Sequence, residues 1–287
     1  KDSAALSALA ALALAEYQAV APNSVTAWAL TALADGLAAF QLGGPGAFPW
    51  GLHPHSLAGV GFWHAWGTHE AQALARAGDV LGRRDWVESA RREVDGFFAW
   101  QLATERLHEM GPLPVIAGQQ AYGVNGMVQA ALNLYRATGD PHYARMGGLH
   151  AGWFLGGNVA GAPVYDGETG RGYDGIDREG DSFRVSRHAG AESTIEALMA
   201  LQAVLPVPEA ARCLTFRRAT ARGWTVIAPP RGDMRAGDDG AVPFTLGAGG
   251  EYALSLARSE PAPTDGMQTV TMDGRRCWPA TCRSSRR

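Results

Sequence analysis

Lysine is nearly absent from this chain of 287 residues: Lys1 is the only one, and arginine carries all the remaining positive charge. With abundant Ala and Gly beside it, that choice fits the codon usage of a GC-rich genome better than a nucleic-acid site. Charge of either sign is scarce at 18% of residues, and 25 basic against 28 acidic groups leave a net charge of -3. The chain as a whole therefore lacks the electrostatic footprint that nucleic acid or an anionic membrane demands, and neither is expected as a partner. Long apolar runs are missing too, since no stretch reaches the roughly 18 to 20 residues of a membrane span. Cysteine is limited to Cys213, Cys277 and Cys282. The last two could bridge in an oxidising compartment, but the set lacks metal-type partners and does not fix the compartment.

The opening stretch Ala4 to Ala15, followed by Ala19-Val20-Ala21, has the length of a signal-peptide core. Glu16 and Tyr17 interrupt it, and the spacing of Leu6, Leu9, Leu12 and Leu14 suits a packed helix. The helix reading is preferred, and with it a cytoplasmic location over secretion. A first residue other than Met points to an N-terminal portion that is missing or processed. What the chain does have is 46% apolar residues, enough for a sizeable core, with Gly 37 and Pro 16 in no collagen-like period.

Periodicity of 3.6 residues predicts seven helices, at about 3 to 19, 25 to 41, 62 to 77, 85 to 104, 119 to 138, 141 to 156 and 188 to 205. No convincing strand alternation is read before Leu205. The links alternate in length. Asn23 to Ser24, Gly78 to Arg84 and Gly139 to Asp140 are short, as antiparallel hairpins need, whereas Gly43 to Gly61, Arg106 to Gly118 and Gly157 to Arg187 are long. Each long link precedes the first helix of a hairpin, so all of them fall on one rim of a hairpin array. Trp66-Gly67, Tyr122-Gly123 and Ala189-Gly190 recur at the starts of those helices. The fold class expected is all-α, an (α/α) toroid over residues 1–205. A small β-like appendage follows over 206–274, and an Arg-rich tail without periodicity over 275–287.

Chemistry concentrates in the 157–187 link, which holds Asp166, Glu168, Asp174, Asp177, Glu179 and Asp181 among Tyr165, Tyr173 and several glycines. It runs into Gly190-Ala191-Glu192-Ser193-Thr194, where Glu192 borders the apolar stripe Ile195, Leu198, Met199. Carboxylates placed in different environments can divide into a general acid and a general base, so Glu192, Asp174, Asp166 and Asp177 are the catalytic candidates. The plainer reading of Glu192 is a helix-dipole partner, and of the loop acids solvated turns. A second cluster joins Phe48, Trp50, Phe62, Trp63 and Trp66 to His53, His55, His64, His69 and Glu70. Trp63 and Trp66 are candidate stacking platforms for sugar rings, with His64, Tyr122, Tyr165 and Tyr173 as further substrate contacts; the alternative is a hydrophobic anchor. His64 and His69 are five apart, not the four of a helical metal pair, so no metal is proposed, and no cofactor is implied.

Trp153-Phe154-Leu155-Gly156-Gly157-Asn158, Gly161-Ala162-Pro163-Val164-Tyr165-Asp166, Thr169-Gly170, Tyr173-Asp174-Gly175-Ile176 and Gly190-Ala191-Glu192-Ser193-Thr194 together resemble a segment of bacterial proteins in the six-hairpin glycosidase superfamily. The resemblance implies a toroid whose central cavity binds an oligosaccharide or polysaccharide, with the Asp174 and Glu192 motifs matching best by position. The expected activity is glycoside hydrolysis. A noncatalytic carbohydrate-binding or scaffold domain is the alternative, and a uronic-sugar lyase or epimerase using Tyr122 or a His as base is the third possibility.

Overall fold

The computed structural model describes residues 4–44, 49–55, 69–104, 108–110, 114–116, 118–180 and 182–216, together with four short strands beyond residue 250. Helix α1 (Ala4–Val20) and α2 (Ser24–Ala39) form the first hairpin, closed by Asn23, whose side-chain oxygen accepts the Thr26 N–H at 2.9 Å. The second pairs α3 (Glu70–Leu81) with α4 (Arg84–Glu93); a π-helical turn, Val94–Phe98, leads on into α5 (Ala99–Thr104). The third pairs α6 (Ala121–Thr138) with α7 (Pro141–Ala151), where Pro141 opens the helix and Asp140 accepts the His142 N–H at 2.9 Å. A single turn of 3-10 helix, Gly152–Leu155, extends α7, and the last pair is α8 (Ala191–Val204) with the short α9 (Pro208–Ala211).

These helices stand in two layers. α1, α3, α6 and α8 pack side by side in that order, while α2, α4 and α7 each back the helix they are linked to and α9 packs on α7. Alanine makes the first contact close: Ala8, Ala11 and Ala15 are fully buried on α1, and the larger volume comes from Leu30, Leu74, Trp86, Phe97, Leu134 and Phe154. Two hydrogen bonds tie long connections to the starts of first-layer helices: Ala4 N–H donates to His55 O at 2.7 Å and Ala121 N–H to Asp174 O at 3.1 Å. The alternation of link lengths is thus expressed as packing. Among the described residues α1 and α8, the first and last of this order, share no contact as extensive as those between its neighbours.

Three features differ from the sequence reading. The long links contain short antiparallel pairings: β1 (His108–Met110) with β2 (Pro114–Ile116), β4 (Tyr165–Asp166) with β5 (Arg171–Gly172), and a sheet in the order β3 (Gln119–Gln120), β6 (Gly175–Glu179), β7 (Ser182–Val185). Strands of two to five residues are too short to show alternation, yet the loop backbone needs partners wherever it lies against the helices. α3 is helical from Glu70, and α8 begins at Ala191 rather than 188. The helical unit also continues past Leu205 through α9, with Cys213 and Leu214 buried, and the division into compact units falls between Trp224 and Thr225. In the second unit β8 (Glu251–Tyr252) pairs with β11 (Cys282–Arg283), and β9 (Val270–Met272) with β10 (Arg275–Cys277), so part of the expected tail is paired strand. Of the β-like appendage expected over 206–274, residues 217–250 lie outside the described residues.

The His and aromatic cluster resolves partly into anchoring. Trp50 packs on Trp100 with ring centroids 4.9 Å apart, and a Cβ on Gly96 in the π-turn would stand 2.2 Å from the Trp50 carbonyl oxygen. Only glycine allows that approach. His53 is fully buried: its backbone N–H donates to Glu93 Oε1 at 3.0 Å, its Nδ1 lies 2.6 Å from Glu93 Oε2 and its Nε2 3.1 Å from Ser89 Oγ. Gln41 and Arg92 complete this network, which fastens the 49–55 segment to α4.

His150 supplies an acid-sensitive element. It is buried on α7 against Phe98 with Nε2 unpartnered, and burial pulls its pKa down from 6.5 to about 4. Between those values the unfolded chain binds more protons than the folded one, so stability present above pH 6.5 is lost as pH falls toward 4. From pH 7 to pH 5 this group should remove about 2 kcal/mol. Urea unfolding of His150→Leu should lack that part of the slope; an unchanged slope would place the acid sensitivity elsewhere.

Candidate active site at the rim of the helical unit

The 157–190 connection is held against the first turns of α6 and α8. Gly172 N–H donates to Thr194 Oγ1 at 3.1 Å, Asp174 N–H to His188 O at 2.9 Å and Ser186 N–H to Gly175 O at 2.9 Å. A Cβ on Gly175 would stand 1.9 Å from the Gln119 carbonyl oxygen, so β6 can reach the start of α6 only with glycine there. Gly175→Ala should therefore push Asp174 off its seat and destabilise the unit by about 1 to 3 kcal/mol, readable as a lower Tm. A wild-type Tm and wild-type activity in that variant would mean the contact is loose.

Three of the residues singled out from the sequence meet at this seam. The Asp174 carboxylate accepts a short hydrogen bond from Ser193 Oγ, through Oδ1, and its Oδ2 has no partner among the described residues. Glu192, in the first turn of α8, is exposed and has no hydrogen bond or ion pair among the described residues. Half-buried Tyr122, in the first turn of α6, feels both: burial first, then Glu192, then Asp174 push its phenol pKa above the ordinary value. The phenol thus keeps its proton at neutral pH. Below them Asn125 Nδ2 donates to Glu196 Oε2 at 2.6 Å, locking α6 to α8.

The other candidates are placed differently. Asp166 accepts from the Glu168 and Thr169 N–H groups at 2.9 and 3.3 Å and from Thr169 Oγ1 at 2.7 Å, and these bonds hold its carboxyl below the usual range. Its oxygens thus build the β4–β5 turn. Tyr165 packs half-buried against the core, opposite Gly172. The Arg187 guanidinium lies 5.1 Å from the centroid of the Tyr173 ring, on the face that sugar stacking would need. Asp177 is exposed on β6, opposite Arg184 on β7, and lines a cleft of about 480 Å³ with Phe183, Arg184, Arg187 and His188. Asp174 and Glu192 are outside that lining, joined to it through the Asp174–His188 backbone bond. Trp63, His64 and Trp66 lie outside the described residues. The stripe beside Glu192 is also reversed: Ile195 and Met199 are exposed, and α8 buries Ser193, Ala197, Ala200, Leu201 and Val204 instead.

Two residues were not singled out as site groups. Ser193 is a positioning residue for Asp174, legible only as a hydroxyl next to Glu192. Glu70, grouped in sequence with the aromatic cluster, is buried at the start of α3, and its Oε1 has no partner among the described residues. Burial, then the Glu93 charge, push its carboxyl well above its ordinary value. No group of three or more His, Cys, Asp or Glu side chains suited to a metal ion occurs among the described residues. Comparison with known protein families and with curated proteins finds no match for the chain.

Proposed function

We propose that this chain is a carbohydrate-active enzyme that hydrolyses a glycosidic bond at the α6–α8 seam, within a helical frame of toroid type. Glu192 is the general acid, which protonates the leaving oxygen, and Asp174 is the base, which takes a proton from the attacking water. The observation that supports this reading is the hydrogen bond from Ser193 to Asp174, which brings Asp174 to the first turn of α8, where Glu192 is the preceding residue. Ser193 holds Asp174 by one oxygen and leaves Oδ2 for water. Glu192, exposed and without a hydrogen bond or ion pair among the described residues, is available to the leaving group. An inverting outcome is expected, for which carboxyl groups stand about 6.5 to 9.5 Å apart.

Arg187 in the adjoining cleft favours an acidic sugar in a neighbouring subsite, Arg184 there being paired with Glu179 at 2.6 Å. Tyr122 argues against a lyase built on its phenolate, because burial and two carboxylates disfavour loss of its proton. The test is a glycan array with neutral and uronate-bearing oligosaccharides, followed by product analysis of every ligand found. Saturated sugars with new reducing ends support hydrolysis. An unsaturated product would transfer the reading to a lyase, and binding without any product to a carbohydrate-binding domain.

A further inference from the structure

The cleft of about 480 Å³ beside the seam is lined along β7 and the residues just after it, and its chemistry changes from one end to the other. Its volume is that of a small-molecule site. Toward the β6–β7 turn stands Asp177, opposite Arg184 in register, and the Arg184 guanidinium is already taken by Glu179 at 2.6 Å. The balance at that end is acidic. Toward α8 stand Ser186, Arg187 and His188. Arg187 has no acidic partner among the described residues, and its guanidinium lies 5.1 Å from the centroid of the Tyr173 ring. An arginine set against an aromatic ring has its planar fork held in place with its N–H edges free, as two parallel hydrogen bonds to a carboxylate require. Ser186 is only 5% exposed; its Oγ accepts the His188 N–H at 3.4 Å, and its own proton has no acceptor among the described residues. A buried hydroxyl with an idle donor in the lining of a cleft calls for an acceptor that the chain does not supply. The rest of the lining, Ala160, Ala162, Phe183 and Val185, is apolar.

We infer that this cleft seats a sugar acid, with the carboxylate on Ser186 and Arg187 and ring hydroxyls donating to Asp177. One ligand class meets all three demands: a carboxylate accepts at the α8 end, hydroxyls donate at the other, and the C–H face of the ring covers the apolar lining. A phosphate ion or a simple carboxylate would leave Asp177 without a donor and add only repulsion to it. Asp177, a catalytic candidate in sequence, thereby becomes a group that reads hydroxyls. Two backbone bonds at 2.9 Å, Ser186 N–H to Gly175 O and Asp174 N–H to His188 O, fix this seat beside Asp174. It gives the proposed hydrolase, on which the assignment rests for the bond cleaved next to it, a uronate subsite with a defined orientation.

Titration of the full chain with D-glucuronate, D-glucose, benzoate and acetate, read by ligand-observed NMR, gives the test. None of these has a glycosidic bond, so binding is read apart from turnover. Glucuronate should bind saturably and at least about tenfold tighter than each of the other three. Arg187→Gln should weaken glucuronate by about 10- to 100-fold and leave glucose unmoved, at unchanged Tm because Arg187 is exposed. Arg187→Lys should recover only part of that loss, since it restores the charge without the fork. Ser186→Ala should weaken glucuronate by about 3- to 10-fold, and should it melt early the two Arg187 variants decide. Asp177→Ala should narrow the preference for glucuronate over benzoate by about fivefold, because both acids gain alike from the lost negative charge and only the sugar loses an acceptor. Glucuronate bound no tighter than glucose, or as tightly by Arg187→Gln as by wild type, would overturn the inference. Benzoate or acetate bound as well as glucuronate would show an unselective anion site and overturn it too. Uronate binding without cleavage of any oligosaccharide leaves this seat standing and removes the hydrolase, whereas cleavage of a neutral oligosaccharide without uronate binding does the reverse.

Discussion

Glu192→Gln is expected to lower turnover of a cleavable oligosaccharide by about 100- to 10,000-fold while leaving its Kd within about threefold. The amide keeps the shape of the carboxyl and its place in the first turn of α8, but has no proton to give the leaving oxygen. Because Glu192 is exposed and makes no hydrogen bond among the described residues, the substitution should leave Tm unchanged. That separates chemistry from folding. The same change removes one of the two charges that raise the Tyr122 phenol, so its titration should move down toward the ordinary range. Asp174→Asn should move it in the same direction, by less, since Glu192 is the larger of the two influences. Tyrosine absorbance against pH reads both. Wild-type turnover in Glu192→Gln rejects the acid assignment, and an unmoved phenol rejects the proximity on which it stands.

Glu93→Ala should be among the most damaging single changes to the helical unit, at about 3 to 5 kcal/mol. His53 is fully buried and gives both its backbone N–H, at 3.0 Å, and its Nδ1, at 2.6 Å, to the Glu93 carboxylate. Truncation would leave two buried donors facing a void, and the 49–55 segment would lose its tie to α4. Ser89→Ala, which removes only the hydroxyl 3.1 Å from His53 Nε2, should cost about 1 kcal/mol. Chemical unfolding of the two variants gives the comparison. Ser89, His53 and Glu93 have the order of a nucleophilic triad, but Ser89 Oγ donates to Gln41 Oε1 at 3.0 Å and the group is buried throughout, so it serves structure. Equal, small losses in both variants would show that the 49–55 segment is held by other contacts.

Helix positions were readable because they are local: the apolar period reports a helix, and link length reports whether its neighbour is antiparallel. Asn23 caps α2 and Pro141 opens α7, each at one of the short links. The depth at which a side chain lies was not readable. Ile195 and Met199 look like a core stripe in sequence and face outward, because small Ala197 and Ala200 let α8 pack closer on its other side. Glu70 and His53, grouped in sequence with the aromatic cluster, are drawn inside by packing across segments far apart in the chain. In the site, Asp174 and Glu192 were found through the acid-rich link and the helix start, whereas nothing local separated Asp174 from Asp166. That distinction comes from Thr169, whose hydroxyl and N–H bind Asp166 into its own turn, and from Ser193, which reaches Asp174 across 19 positions.

Proton NMR of the anomeric region, recorded from the first minutes of cleavage of an array-identified oligosaccharide, tests the central claim most directly. If Glu192 and Asp174 flank the bond as acid and base, the first sugar released carries the anomeric configuration opposite to that of the bond cleaved, and the signal disappears in both Glu192→Gln and Asp174→Asn. A first product of retained configuration, or cleavage that survives either substitution, would contradict the account.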